Sequence, residues 1–299
     1  MSNLLHVGDT VAVVSPSISL NRRRDFNIDG VVRYLTSLGF NVLVAPSCYS
    51  GSVLTTDSDK AKADDIMAMY RNPEVKALFA LHGGAGSLRV LPFLDFEEIK
   101  RNPKPLIGFS DTSSIQMGIY AKTGLPYVSG FLGEYELRQG EVDAQVAQEL
   151  QAVIDGRTFR SQDGQSLRGG VAEGVLIGGN LSIFSDLNGT SYYPDIRDKI
   201  ILLEDECEKP YKINLMLTQL RFNPLFNTVK GVVFGRFSEC ELEESTFGTV
   251  DEVIDDFVRQ TRIPVIKEFN YGHFSSRHVL TLGVPYRLDA NNCVLEQIG

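Results

Sequence analysis

The first half of the chain alternates short apolar segments with segments of helical period. The run Thr10–Ser15 (TVAVVS) is apolar and rich in β-branched residues, which predicts a buried strand. Residues 27–38 then place Ile28, Val31 and Leu35 on one face of a helix. Because this alternation continues to Thr123, we expect a mainly parallel sheet with helices on both faces.

The second half has a different pattern, with more strand-like segments and fewer helical ones. Gly174–Gly179, for example, is predicted to be a strand that runs into a turn at Gly178 and Gly179. Between the halves, Gly156–Gly170 is rich in Gly, Ser, Gln and Arg and shows little periodicity, which favours a linker. We therefore predict an α/β protein in which residues 1–165, linker included, form the N-terminal domain. Residues 166–299 are predicted to form a smaller, mixed α/β, strand-rich domain.

The charge of the chain bears on the partners it can bind. The 299 residues carry a formal net charge of −9, which argues against a nucleic-acid partner. The basic cluster Arg22–Arg24 is followed at once by Asp25 and is interpreted as a solvated helix start.

Neither a metal site nor a membrane segment is expected. The four cysteines have no C-x-x-C spacing, and no histidine pair and carboxylate fall at metal-ligand spacing. No signal peptide and no apolar run of about 18 residues are recognisable. The sequence therefore predicts a cytoplasmic protein without metal, cofactor or membrane partner.

A candidate nucleophile lies in the motif Gly108–Asp111 (GFSD), between a predicted strand and a predicted helix. A serine on such a turn can be held with its hydroxyl exposed, while nearby backbone N–H groups face a developing oxyanion. The usual hydrolase motif is G-x-S-x-G, but Thr112 replaces the second glycine. The alternative is that Ser110 or Asp111 only caps the helix.

The segment His82–Gly86 (HGGAG) also follows a predicted strand. Glycines let backbone N–H groups approach a ligand closely, which suits an oxyanion hole or a phosphate cradle. The segment lacks the G-x-G-x-x-G spacing of a dinucleotide site. A plain tight turn is the alternative.

Two further segments could complete a catalytic triad with Ser110. The acids Glu204, Asp205 and Glu206 close an apolar segment and could orient a histidine, although a solvated acidic turn is the alternative. His273 lies on a glycine-flanked loop, whereas His278 adjoins a predicted strand and is expected to pack. The order serine, acid, histidine is that of hydrolases with a strand–turn–helix nucleophile.

Several motifs occur in a fixed order along nearly the whole chain. They are Ala63–Asp65, Asn72–Ala77, Gly83–Gly86, Leu94–Phe96, Asn102–Asp111, Gly178–Leu181, Asn188–Thr190, Leu203–Asp205, Pro210–Tyr211, Leu217–Leu220 and Tyr271–His273. In these motifs the chain resembles the LD-carboxypeptidase family, which includes murein tetrapeptide carboxypeptidases and their microcin-immunity relatives.

The resemblance implies a serine peptidase with the triad Ser110, Glu204 and His273. It implies an oxyanion hole formed by the backbone N–H groups of Gly84 and Asp111. It also implies a flavodoxin-like N-terminal domain, a small C-terminal domain and a homodimer.

The resemblance also bears on substrate binding. The family commonly has an arginine before the double glycine, and this chain has His82 there. We therefore expect His82 and Gly83 to contact the substrate.

The function expected from these residues is hydrolysis of an amide bond at the C-terminal end of a small peptide, namely an L,D-bond in murein tetrapeptide. A microcin-immunity-type hydrolase that cleaves peptidyl or aminoacyl nucleotides is the alternative. A second alternative, from another class, is a nucleotide- or sugar-binding module that uses the loop at Gly83 without covalent chemistry.

Overall fold

A computed structural model describes the chain at residues 3–18, 27–49, 55–138, 140–241 and 248–298. The basic cluster Arg22–Arg24 lies outside these ranges. The chain divides into two compact units. The first comprises Met1–Arg157, Gly189–Pro194 and Val279–Thr281, and the second comprises Thr158–Asn188, Asp195–His278 and Leu282–Gly299.

The first unit contains a six-stranded sheet. In chain order its strands are β1 (Thr10–Val14), β2 (Asn41–Val44), β3 (Val75–Ala80), β4 (Leu106–Gly108), β5 (Tyr127–Ser129) and β12 (Leu280–Leu282). Their spatial order is β12-β5-β4-β3-β1-β2, and the pairs from β2 to β5 are all parallel. The order 2-1-3-4-5 is that of flavodoxin-like folds, so the predicted fold class is confirmed.

Helices follow most strands of this sheet. They are α1 (Ile28–Ser37), α2 (Thr56–Arg71), α3 (Phe96–Arg101), α4 (Ser113–Thr123), α5 (Gly133–Glu136) and α6 (Ala144–Ile154). The Asn27 side chain caps α1 by accepting a hydrogen bond from the Gly30 N–H. Gly124 ends α4 in the left-handed conformation, at φ 74°.

One helical segment is a 3₁₀ helix rather than an α-helix. It spans Ser87–Phe93, between β3 and α3. Pro92 lies inside this segment and has no backbone N–H to continue an α-helical ladder, so a short 3₁₀ turn is formed instead.

The second unit contains an eight-stranded sheet. Its strands are β6 (Arg160–Gln162), β7 (Gln165–Arg168), β8 (Val171–Asn180), β9 (Lys199–Glu206), β10 (Gly231–Ser238), β11 (Val265–Lys267), β13 (Val284–Asp289) and β14 (Val294–Gln297). Their spatial order is β6-β14-β13-β8-β9-β10-β11-β7. Strands β8 to β11 pair in parallel, and the flanking strands pair antiparallel, so the predicted mixed, strand-rich character is confirmed.

Two details of this sheet differ from the sequence-based expectation. Strands β6 and β7 lie within Gly156–Gly170, which was expected to be a linker. Both are edge strands of the sheet, and their mostly polar residues show no alternation of apolar and polar positions. Gly178 and Gly179 were expected to form a turn, but β8 continues through both. A Cβ at Gly178 would lie 2.0 Å from the Leu202 carbonyl oxygen, so close strand contact accounts for this glycine.

The helices of the second unit are α7 (Leu181–Leu187), α8 (Pro210–Phe222) and α9 (Val250–Arg259). A capping box between Thr249 and Glu252 begins α9. Across the described part of the chain, no helix is both long and apolar enough to cross a membrane.

Candidate active site

Ser110 lies on a strained turn between β4 and α4. Its φ is +60°, in the left-handed region, and Phe109 before it is extended at φ −162°. A non-glycine residue costs free energy in this conformation and is held there only by its surroundings. The tight turn predicted around the candidate nucleophile is therefore present, and the Ser110 side chain is partly exposed.

The glycine before this turn explains how Thr112 is accommodated in the motif. A Cβ on Gly108 would lie 2.5 Å from the Thr112 Cγ2 atom and 3.3 Å from the Ala80 Cβ atom. Strand and helix thus meet over a glycine at position 108, and the Thr112 methyl group packs against its backbone. The second glycine of the usual motif is replaced without loss of the turn.

The glycine loop after β3 lies directly against Ser110. A Cβ on Gly83 would be 3.0 Å from the Ser110 Cβ and 3.2 Å from its Oγ. Gly84 has φ 128°, a conformation open mainly to glycine. Among the described residues, none of the hydrogen bonds uses the Gly84 N–H.

Asp111 ties the nucleophile turn to the end of the glycine loop. Its Oδ2 accepts a hydrogen bond of 3.0 Å from the Ser87 N–H, and its carbonyl oxygen accepts one from the Ser87 hydroxyl. Burial raises the pKa of Asp111, although hydrogen bonds and the nearby Lys62 ammonium oppose the rise. Asp111 thus holds the turn in place through both its carboxyl group and its backbone.

His82 is buried beneath the same loop. Its Nδ1 lies 2.6 Å from the Gly83 carbonyl oxygen, and its Nε2 lies 3.0 Å from the Ser15 Oγ. A carbonyl oxygen only accepts, so Nδ1 carries the proton and supports the loop backbone. Contact of His82 and Gly83 with a substrate remains a prediction.

In the second unit, β9 brings Glu204 against His273. The Oε2 atom of Glu204 lies 2.7 Å from Nδ1 of His273, and both side chains are buried. The carboxylate therefore accepts the Nδ1 proton, and Nε2 is the nitrogen left for proton transfer. The structure thus brings together two of the three predicted triad residues within one unit.

The electrostatic surroundings make His273 more basic. Burial lowers its pKa, but attraction to Glu204, the hydrogen bond from Nδ1 and the Glu206 carboxylate outweigh this effect. Arg277 opposes them, and the pKa of His273 is raised above its ordinary value of 6.5. Glu206 lies 3.7 Å from Nε2 and was not singled out in the sequence, where it is one of three consecutive acids.

Two glycines make room for this pair. A Cβ on Gly235 would lie 2.2 Å from the Tyr271 carbonyl oxygen and 3.1 Å from the Glu204 Cβ. A Cβ on Gly272, which has φ 146°, would lie 3.3 Å from Glu204 Oε2. The glycine before His273 therefore lets the loop lie directly over the carboxylate.

Asp205, the acid that follows Glu204, is a buried neighbour of the pair. Its carboxylate accepts hydrogen bonds from the Ser182 N–H at 2.8 Å and from the Asn180 side chain at 3.1 Å. Burial and the adjacent Glu204 charge raise the pKa of Asp205 to about 7. These contacts connect β9, next to Glu204, to the N-terminus of α7.

The sequence itself matches known family models over more than half of its length. Residues 11–130 match the LD-carboxypeptidase N-terminal domain, and residues 173–288 match the LD-carboxypeptidase C-terminal domain. The fold and these matches define a two-unit α/β peptidase. The chain belongs to the LD-carboxypeptidase family, as the sequence motifs indicated.

Curated relatives span nearly the whole chain. A Synechocystis protein provisionally named a carboxypeptidase is 30% identical over 96% of this chain and 93% of its own length. The Escherichia coli microcin C7 self-immunity protein MccF is 25% identical over 96% and 92%. The Pseudomonas aeruginosa murein tetrapeptide carboxypeptidase is 25% identical over 77% and 78%.

Solved structures share the fold. MccF in complex with glutamyl sulfamoyl guanosine superposes with a TM-score of 0.89 at 23% identity, covering 100% of this chain and 98% of that one. The muramoyltetrapeptide carboxypeptidase of Oxalobacter formigenes gives a TM-score of 0.84 at 24% identity, covering 96% and 97%.

Proposed function

We propose that this chain is a serine carboxypeptidase whose triad is Ser110, Glu204 and His273. Its substrate is a small peptide cleaved at the C-terminal amide bond, specifically an L,D-bond in murein tetrapeptide. The observation that carries the proposal is the buried hydrogen bond of 2.7 Å between Glu204 and His273. A carboxylate that accepts the Nδ1 proton and leaves Nε2 for proton transfer is the arrangement that the acid–base half of a triad requires.

The proposed mechanism begins at the Ser110 hydroxyl. His273 Nε2 accepts its proton while Oγ attacks the carbonyl carbon of the scissile amide, and Glu204 stabilises the imidazolium that forms. The N–H groups of Gly84 and Asp111 donate to the oxyanion. His273 then protonates the leaving amine, and water hydrolyses the acyl-enzyme by the same proton route in reverse.

Three features of the first unit support this role for Ser110. Its left-handed backbone at φ +60° is a strain of the kind found at nucleophile turns. Gly83 lets the loop backbone lie close to the hydroxyl, and the Gly84 N–H has no hydrogen-bond partner among the described residues. Together these features place a strained serine beside a glycine loop and a backbone N–H that is available to an oxyanion.

The second candidate function is cleavage of a peptidyl or aminoacyl nucleotide. The relative MccF favours this function. MccF is a microcin self-immunity protein that is 25% identical over 96% of this chain, and one of its structures contains glutamyl sulfamoyl guanosine. The same triad would attack the amide bond that joins the aminoacyl group to the nucleotide portion.

The experiment compares four substrates by mass spectrometry of the products. They are murein tetrapeptide, the same peptide with a C-terminal amide, a peptidyl nucleotide and an aminoacyl sulfamoyl nucleoside. We expect release of the terminal D-amino acid from the free acid, with the amide cleaved far more slowly, because an exopeptidase recognises the terminal carboxylate. Equal cleavage of acid and amide would contradict a carboxypeptidase.

The family resemblance also leads us to propose a homodimer, and a cytoplasmic location remains a prediction. Sedimentation velocity of the purified chain tests the first proposal. A single species at the monomer mass across micromolar concentrations would contradict it.

A further inference from the structure

A second carboxylate–histidine pair lies at the ends of the loop that carries His273. The loop, residues 270–278, begins at Asn270 and ends at His278. Asp163 lies in the turn between β6 and β7, and its Oδ2 is 2.7 Å from Nε2 of His278. Its Oδ1 accepts a hydrogen bond of 2.9 Å from the Asn270 N–H. One carboxylate therefore binds both ends of the loop.

The charge state of Asp163 suits this role. Burial raises the pKa of Asp163, but hydrogen bonds from His278, Ser161 and Asn270 outweigh it and hold the pKa below its usual value. The group is thus an anion at neutral pH and can only accept hydrogen bonds. His278 Nε2 therefore carries a proton and donates it in a charge-assisted bond.

The loop is also closed on itself. The His278 N–H donates to the Asn270 carbonyl oxygen at 2.8 Å, and the Asn270 side chain donates to the Ser276 carbonyl oxygen at 2.6 Å. Ser276 has φ +60°, a strained conformation for a serine. His273 lies near the middle of this closed loop, so movement of the loop ends would shift the imidazole.

The turn that carries Asp163 is shaped for close approach to this loop. A Cβ on Gly164, which has φ +89°, would lie 2.6 Å from the Lys267 carbonyl oxygen. The His278 ring packs between Phe159 and Phe269, with ring centroids 4.9 and 5.2 Å away. The polar pair is thus flanked by aromatic rings, where a charge-assisted hydrogen bond is stronger than in water.

We propose that Asp163 and His278 are positioning residues that hold the loop 270–278 so that His273 Nδ1 stays on Glu204. This inference rests on the proposed function, in which His273 is the general base. Neither residue acts on the substrate itself. A misplacement of about 1 Å in a catalytic group can cost up to about a hundredfold in rate, so a pair distant in sequence can affect turnover strongly.

The test uses Asp163→Asn, His278→Ala, His278→Gln and the double variant Asp163→Asn/His278→Ala in the full chain. We expect Asp163→Asn and His278→Ala each to lower kcat about tenfold with KM nearly unchanged. This loss is smaller than the roughly hundredfold that a shift of about 1 Å in a catalytic group can cause. The double variant should be no worse than the more damaging single variant, because both remove one interaction. His278→Gln keeps a side-chain N–H donor and should retain more activity than His278→Ala.

Two further readouts separate positioning from a general effect on stability. The acidic limb of kcat/KM should move to lower pH in Asp163→Asn, since the contact with Glu204 raises the pKa of His273, while Glu206 and Arg277 stay in place. Hydrogen–deuterium exchange over residues 270–278 should rise in the same variant. The control Glu173→Gln removes an exposed pair with Arg287 in the same sheet and should change neither readout.

Additive losses in the double variant, or unchanged exchange in the loop, would overturn the inference. The inference would also be overturned if the loss of kcat were fully explained by the fraction of the variant that is unfolded. If Asp163→Asn does not fold, His278→Gln and His278→Ala carry the comparison. Failure of the proposed function would be distinguished by full activity in Ser110→Ala or His273→Ala, while the exchange measurement still decides the role of Asp163.

Discussion

The Oε2 atom of Glu204 lies 2.7 Å from Nδ1 of His273, and each side chain is buried in the second unit. The other oxygen of Glu204 accepts no hydrogen bond from the described residues, so this carboxylate depends on His273 as its partner. Burial of a carboxylate with one unpaired oxygen costs folding free energy, which the contact with His273 offsets only in part.

Replacement of Ser110 by alanine should lower kcat by about three orders of magnitude or more, as the loss of a triad nucleophile does. The fold should remain, because alanine removes only the hydroxyl. Product release measured by mass spectrometry gives the rate, and circular dichroism with thermal unfolding gives the control. Retention of most of the activity by a folded variant would exclude the serine mechanism.

His273→Ala should be as damaging as Ser110→Ala, and the double variant should add little, because triad members act as a unit. The variant should also be less stable, since Glu204 is left buried without a partner. Rates are therefore normalised to the folded fraction. His278→Ala is the comparison, with a smaller expected loss of about tenfold. A greater loss of kcat there than in His273→Ala would show that the wrong histidine was assigned.

The acidic limb of the kcat/KM profile should report the pKa of His273 in the free enzyme. His273 must be neutral to accept a proton, and its pKa is raised above 6.5, so activity should fall as the pH drops through a value above 6.5. Glu206→Gln removes one charge that raises this pKa and should move the limb to lower pH. An unchanged limb, or a shift to higher pH, would contradict the influence of Glu206.

Gly83→Ala should lower kcat about tenfold or more. The added methyl group would lie 3.2 Å from the Ser110 Oγ, and the serine hydroxyl must shift to relieve this contact. Gly124→Ala is the control. Gly124 has φ +74° and no atom within 4 Å of an added Cβ, so alanine there should reduce stability through backbone strain alone. Equal kcat values for Gly83→Ala and the native chain would contradict close contact between the loop and the serine.

The sequence predicted the first unit well because its strands are apolar and its helices are amphipathic or capped. Thr10–Val14 and Val75–Ala80 are strands of a parallel sheet, and the apolar runs Val11–Val14 and Ala77–Ala80 within them are buried, as such strands require. The strands at Arg160–Gln162 and Gln165–Arg168 escaped prediction because they are polar and carry no alternating pattern. A periodic pattern of apolar residues reveals which side of a strand is buried, and neither of these two strands has a buried residue.

The Glu–His half of the proposed site followed from motifs, but its supporting residues did not. Nothing in the local sequence of Asp163 indicates that it binds Asn270 and His278, more than a hundred positions away. The same holds for Glu206, whose approach to His273 depends on the pairing of distant strands. Contacts of this kind are set by tertiary structure rather than by local spacing.

Covalent labelling tests the central assignment most directly. The native chain is treated with a serine-reactive phosphonate, and the modified peptide is identified by mass spectrometry. We predict one adduct, on Ser110, that forms in the native chain and in Glu173→Gln, forms much more slowly in His273→Ala and is absent in Ser110→Ala. An adduct on another residue, or full murein-peptide hydrolysis by a chain in which Ser110 is replaced, would contradict the account.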